Sequence, residues 1–247
     1  MKAGMRVALV ATTMTVCASA SGAQAAQVYV SEASDIGWQE STFKSLPGES
    51  ADLEIQVLDE GRTVIFEDRA NPITAGKPAD QGGIHYTECQ RLTPNRARCD
   101  YVPPSSGVAW PDRFMSFHAY TGQDLGTGAL AGLPARVRDL PGDAGGARLD
   151  VYSGLAADDI ELRHQSAVHV ADAGGSNRIV IGATDSDEPS SVEVGPGSSM
   201  VDVRNGTADR VRCLAVAPVF AGPLGVGAAN ALDTVTADET DDVEDCD

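Results

Sequence analysis

From residue 148 onward, apolar residues recur in pairs separated by a single residue, at short and nearly regular intervals. The pairs are Leu149/Val151, Ile160/Leu162, Val168/Val170, Ile179/Ile181, Val192/Val194, Val201/Val203 and Val211/Cys213. Their starts lie 11, 8, 11, 13, 9 and 10 residues apart. An apolar-x-apolar triplet is strand periodicity, because successive side chains of a strand point to opposite faces. The segments between the triplets are rich in Gly, Ala, Asp, Ser and Asn, several of them turn formers. A very short strand followed by a tight turn, repeated in this way, is the pattern of a β-solenoid, in which each coil covers the next. Two strands per coil correspond to roughly 20 residues per coil. An antiparallel sandwich also uses short strands at similar spacing. Three-residue alternations make poor sandwich strands, so the sequence predicts an all-β chain with a right-handed parallel β-solenoid of β-roll or β-helix type.

Upstream of the triplets the pattern changes. Leu53, Ile55 and Val57 alternate with Asp52, Glu54 and Gln56, as in a half-buried strand. Asp59-Glu60-Gly61-Arg62 supplies a turn, and Thr63 to Glu67 is a second β-rich run, so 51–67 is predicted to be a hairpin. Gln27–Val30, Ile84–Thr87, Ala97–Val102 and Phe114–Tyr120 are further short strands, and no segment has convincing amphipathic helical periodicity. The expected organisation is a β-rich N-terminal cap over 26–120 and a Gly- and Pro-rich connector or irregular first coil over 121–147. Residues 148–247 then carry the repeats and an acidic closing segment.

Residues 1–25 have the three parts of a cleavable secretory signal in order. Lys2 and Arg6 form a basic start, Val7 to Val16 is uncharged and largely apolar, and Ala23-Gln24-Ala25 fits the small-x-small cleavage rule. The ten residues of the apolar stretch are too few to span a bilayer, and no membrane span is expected elsewhere. Cleavage after Ala25 would leave 247 − 25 = 222 residues with a formal charge of 16 − 36 = −20, histidines neutral. So negative a surface repels nucleic acid and anionic lipid, and suits divalent cations or basic extracellular proteins. The acids concentrate at the end, where Asp233 to Asp247 holds eight carboxylates and no basic residue.

Cleavage would also remove Cys17 and leave Cys89, Cys99, Cys213 and Cys246. An even count in an exported chain favours disulfides over metal thiolates, and no pair has zinc-knuckle spacing. Of the three possible connectivities, Cys89–Cys99 with Cys213–Cys246 is favoured, because each pair lies within one segment and encloses turn signals.

Several segments together resemble the secreted RTX, or haemolysin-type, calcium-binding repeat proteins of high-GC Gram-positive bacteria. Residues 47–53 through 70–76, followed by Cys89 and Cys99, are similar to the β-rich cap that precedes the repeats in that family. Thr121-Gly122-Gln123-Asp124-Leu125 and Ser153-Gly154-Leu155-Ala156-Ala157-Asp158-Asp159-Ile160 echo the repeats themselves. Asn205 to Cys213, Leu232 to Asp238 and the terminal Asp245-Cys246-Asp247 echo the closing segment. The family repeat, Gly-Gly-x-Gly-x-Asp-x-apolar-x, uses glycines to turn carbonyl oxygens inward and an Asp to add a carboxylate. Successive turns then complete the six to eight oxygens calcium takes. Here the template is eroded: Asp158 and Ile160 survive, but Ala156 replaces the inner glycine, and Gly174-Gly175-Ser176-Asn177-Arg178 carries a cation where the ligand carboxylate belongs. The resemblance therefore implies the fold and, at most, weak calcium binding. The carboxylates it points to are Asp124, Asp158 and Asp159, with Asp209, Asp233 and Asp242 as lesser candidates.

No catalytic constellation is expected. His164 and His169 are five apart, which puts them on opposite faces of a strand, and His85 and Glu88 have the same difficulty. There is no Gly-x-Ser-x-Gly, His-Glu-x-x-His or phosphate-loop motif, and Gly225-Val226-Gly227 is too short for a dinucleotide fingerprint. The expectation is a secreted, non-enzymatic β-solenoid protein with degenerate repeats and an extracellular structural or interaction role. The alternative is a carbohydrate-active parallel β-helix enzyme, a polysaccharide lyase or hydrolase, with Arg163, Arg178, Arg204 or Arg212 as its basic residue.

Overall fold

The computed structural model describes residues 25–33, 38–46, 49–79, 84–101, 115–121, 133–143, 145, 147–165, 167–182, 189–214 and 233–246. The signal-like residues 1–24, residues 122–132 of the 121–147 stretch and the Gly225-Val226-Gly227 run lie outside them. Among the described residues all regular structure is strand, and no helix is long and apolar enough to cross a membrane. The chain is all-β.

In chain order the strands are β1 (Ala26–Ala33), β2 (Trp38–Lys44), β3 (Ala51–Leu58), β4 (Thr63–Asp68), β5 (Ile73–Thr74), β6 (Ile84–Glu88), β7 (Gln90–Thr93), β8 (Arg96–Asp100), β9 (Met115–Tyr120) and β10 (Ala135–Leu140). They continue as β11 (Arg148–Ser153), β12 (Asp159–Leu162), β13 (Ala167–Asp172), β14 (Arg178–Ile181), β15 (Ser191–Val194), β16 (Met200–Asp202), β17 (Arg210–Cys213), β18 (Thr234–Thr236) and β19 (Asp242–Glu244).

These strands form two sheets. One has the order β19-β17-β15-β13-β11-β9-β2-β1-β5, with β6 also on β1; the other runs β18-β16-β14-β12-β10-β3-β4-β8-β7. From β9 onward successive strands alternate between the sheets, and each pairs in parallel with the strand two places later. Toward the N-terminal side the pairing is mostly antiparallel, through the β1–β2, β3–β4, β4–β8 and β7–β8 contacts, so both sheets are mixed. The β3–β4 hairpin turns where the sequence predicts, with Asp59, Glu60 and Gly61 all at positive φ.

Register explains why the triplets alternate as they do. Val137, Ile160, Ile179, Val201 and Val235 stack in one column of the second sheet. Val151, Val170, Val192, Val211 and Val243 stack in the first. Val151, Ile160, Val168, Ile179, Val192 and Val201, one from each of six triplets, are all at most 2% exposed. One hydrophobic cluster joins the two sheets, and near its N-terminal end Phe43 of β2 meets Phe66 of β4 at 5.9 Å between ring centres. Each fully buried Val, Ile or Phe contributes about 1.5–3 kcal/mol by leaving water.

Both sheets hold strands from either side of the composition changes at 121 and 148. β10, inside the stretch expected to be a connector or irregular first coil, pairs in parallel with β3 on one side and β12 on the other. β9 likewise joins β2 to β11. The two regions are locked further by Glu54, a buried carboxylate on β3 that contacts Arg69 at 2.7 Å and Arg138 of β10 at 3.1 Å. Cys89 is bonded to Cys99 and Cys213 to Cys246, the connectivity favoured from the sequence.

Glycine has a specific duty at one corner. Gly175 and Gly197 form a parallel bridge between adjacent turns, and a Cβ on Gly197 would lie 1.7 Å from the Gly175 carbonyl oxygen. Gly175 itself sits at φ 114°, a conformation that side chains resist.

Candidate functional site

The polar residues at the corners are arranged as deliberately as the apolar columns. The residue immediately before each strand of the second sheet occupies one stacked position, held in turn by Ala135 (itself the first residue of β10), Asp158, Asn177, Ser199 and Asp233. Each side chain accepts a hydrogen bond from the backbone N–H of the stacked residue before it. Asp158 Oδ1 accepts from Ala135 at 2.7 Å, and Asn177 Oδ1 accepts from Asp158 at 2.7 Å. Ser199 Oγ accepts from Asn177 at 3.4 Å, and Asp233 Oδ1 accepts from Ser199 at 2.8 Å. A turn N–H that no strand partner reaches is thereby satisfied, which matters because a buried donor left unpaired costs about 1–3 kcal/mol.

The opposite corner repeats the device. Asp209 Oδ1 accepts from the Ser190 N–H at 3.0 Å, and Asp241 Oδ1 accepts from Asp209 at 2.9 Å. Earlier in the chain Asp139 accepts from the N–H groups of Arg163 and His164 at 2.7 and 2.6 Å. Burial raises the pKa of Asp139 and of Asp209, and those same N–H bonds hold each partly down.

Behind the first ladder lies a buried polar knot. Ser153 Oγ donates to Asp172 Oδ1 at 2.6 Å, while Asn177 Nδ2 donates to Asp172 Oδ2 at 2.6 Å and to the Gly174 carbonyl at 3.1 Å. Asp172 is fully buried, and desolvation pushes its carboxyl well above the ordinary value, with the neighbouring Asp158 adding to the rise. Asp158 is 3% exposed, and its Oδ2 makes no hydrogen bond. Burial pushes its pKa up to about 6, offset in part by the Ala135 N–H and by the nearby Ser153 and Gly154.

The carboxylates that the family resemblance singles out are spread through this framework. Asp158 and Asp233 belong to one ladder and Asp209 to the other. Asp159 lies on the outer face between Arg136 at 3.5 Å and Arg178 at 2.8 Å, and Asp242 faces Arg210 at 3.6 Å. Asp124 lies outside the described residues. Each of the other five already has a protein donor or cation, and among the described residues no three His, Cys, Asp or Glu side chains converge as a metal-holding group.

The basic residues are similarly engaged. Arg163 pairs with Glu161, Arg178 with Asp159 and Glu161, Arg204 with Asp202, and Arg212 with Glu244. His169 meets Ser191 Oγ through Nδ1 at 2.7 Å and packs edge-on to Tyr152. His164 contributes its backbone N–H to Asp139, and His85 lies on β6.

Asp139, Asp172, Asn177, Ser199 and Asp241 are hydrogen-bonding parts of these corners that motif reasoning passes over. A register signal marks the ladders nonetheless: Asp158, Asn177, Ser199, Asp233, Ser190, Asp209 and Asp241 each stand two residues before an inward apolar side chain. Compared with known proteins, the chain matches no family model, no curated protein and no solved structure.

Proposed function

We propose that the chain is an exported, non-catalytic protein whose two sheets are the faces of a parallel β-solenoid, and that it serves as a rigid acidic scaffold for extracellular contacts. The observation that carries this reading is the pairing of alternate strands in parallel with their corner N–H groups met by side chains of the next turn. A stack so satisfied is held by protein groups alone. Parallel connections within one sheet are right-handed in nearly all proteins, so the coils are assigned that hand. Export is supported by the signal-like N-terminus and by two disulfides, which persist in oxidising compartments. Kinship with RTX proteins belongs to this reading and is supported by the likeness of residues 47–76, 121–125, 153–160 and 205–213, with calcium a weak, accessory ligand.

Circular dichroism and thermal melting in excess chelator and in 2 mM calcium test the proposal. The β spectrum should be the same in both. With a Kd of about 1 mM, one site adds only about 0.65 kcal/mol, or roughly 1–3 °C in Tm for a chain of this size. A chain unfolded in chelator that folds sharply on micromolar calcium would refute it.

A further inference from the structure

The two sheets end together at the C-terminal side, on β18 and β19, and among the described residues no strand pairs with the outer edge of either. Between these edges lies a groove of about 380 Å³, lined by Asp233, Thr234 and Val235 on one side and Val243, Asp245 and Cys246 on the other. Val243 continues the buried column of Val192 and Val211 but is 42% exposed, because nothing described covers it. An open parallel edge with an uncovered apolar residue is a template for one more strand.

The charges on that edge specify the strand. On the outer face of this sheet Glu193 is followed in the next turn by Arg212 and then by Glu244. Arg210 is likewise followed by Asp242. The contacts are Arg210–Asp242 at 3.6 Å and Arg212–Glu244 at 3.7 Å. The alternation stops on acids. A strand laid beside β19 would place two outward residues next to Asp242 and Glu244 and one inward residue over Val243. Cross-strand opposite charges stabilise and like charges destabilise such a pair. The disulfide from Cys213 to Cys246 fastens the last turn to the one before it, so the edge is presented as a fixed surface.

We propose that the β19 edge docks an extended segment of another protein with the pattern basic–apolar–basic, added in parallel as the next strand of the stack. This rests on the scaffold reading above and names the kind of partner that scaffold would take. The cations sit beside Asp242 and Glu244, and the apolar residue covers Val243.

Fluorescence anisotropy on the full signal-cleaved chain tests this. The probe is a labelled nine-residue peptide with an Arg-Val-Arg core between neutral Ser and Thr flanks. It should bind at least tenfold more tightly than a peptide of the same composition with an Arg-Arg-Val core, and than one N-methylated on the backbone nitrogen of the second Arg, which lacks the N–H that would reach the Val243 carbonyl, as the Asp242 N–H reaches Asp209 one strand earlier. The double variant Asp242→Lys, Glu244→Lys should lose at least tenfold in affinity for the Arg-Val-Arg peptide and acquire binding of a Glu-Val-Glu peptide. Equal binding of the three arginine peptides would show general charge attraction and overturn the proposal. So would no binding at all, or failure of the swapped pair to bind, or sedimentation showing that the edge is occupied by a second copy. A native β spectrum in chelator, recorded on the same sample, separates failure of the edge alone from failure of the scaffold reading.

Discussion

Replacing Asp158 by Asn isolates the consequence of burying a carboxyl in the first ladder. The native carboxyl has one oxygen bonded to the Ala135 N–H and the other buried without a bond, and its pKa is pushed from the ordinary 3.8 to about 6. Its contribution to stability is therefore full below pH about 3.8 and is lost as the pH rises through about 6. At about 1.4 kcal/mol per pH unit, that amounts to about 3 kcal/mol of destabilisation at pH 7.5. An Asn keeps the acceptor for Ala135 and removes the charge, as Asn177 already does one turn later. Asp158→Asn should accordingly be more stable than the parent at pH 7.5 by about 1–3 kcal/mol, a rise of several degrees in Tm, and by about a third of that difference at pH 4.5. Urea melts at both pH values, each in chelator and in calcium, decide the matter. A variant less stable than the parent at pH 7.5 in chelator would refute the reasoning, since the charged form would then be the favoured one. Destabilisation only in calcium would make Asp158 a ligand.

Two further outcomes are expected. Ile179→Ala, in the centre of the second-sheet column, should lower stability by about 2–5 kcal/mol in urea melts, and a change below about 0.5 kcal/mol would remove Ile179 from the core. Cys246→Ser should lower stability by about 4 kcal/mol in the chain-entropy account of a loop with 33 residues of sequence separation. Hydrogen exchange should then show Val243 and its neighbours exposed while the β12–β14 amides stay protected.

What could be read in the sequence was the part with a period. Triplets such as Ile160/Leu162 and Ile179/Ile181 locate strands and inward faces because burial on one side enforces alternation. The observed offsets of 19, 22, 19 and 22 residues, for Val151 to Val170 to Val192 and Ile160 to Ile179 to Val201, follow from that spacing. β10 was hidden because Arg136-Val137-Arg138 has a single inward residue framed by cations that serve Asp159 and Glu54. β2 and β7 are polar for related reasons: β7 is an exposed edge, and β2 mixes buried Gln39, Glu40 and Thr42 with Phe43. The carboxylates were legible as a population but not as individuals. Whether an Asp points outward to an Arg, as Asp159 does, or inward to a backbone N–H, as Asp158 does, turns on one residue of register.

The corner ladders have a direction. From Ala135 through to Asp233, and from Ser190 through Asp209 to Asp241, the donor belongs to the earlier turn and the acceptor to the later one, whereas Asp139 accepts from a later turn. In those two ladders a turn N–H is thus unmet until its successor arrives. A chain that emerges N-terminus first would lay down each new layer on a surface already waiting for it, much as a zip closes one way. The final layer has no successor of its own among the described residues, and it is there that the Cys213–Cys246 bond closes.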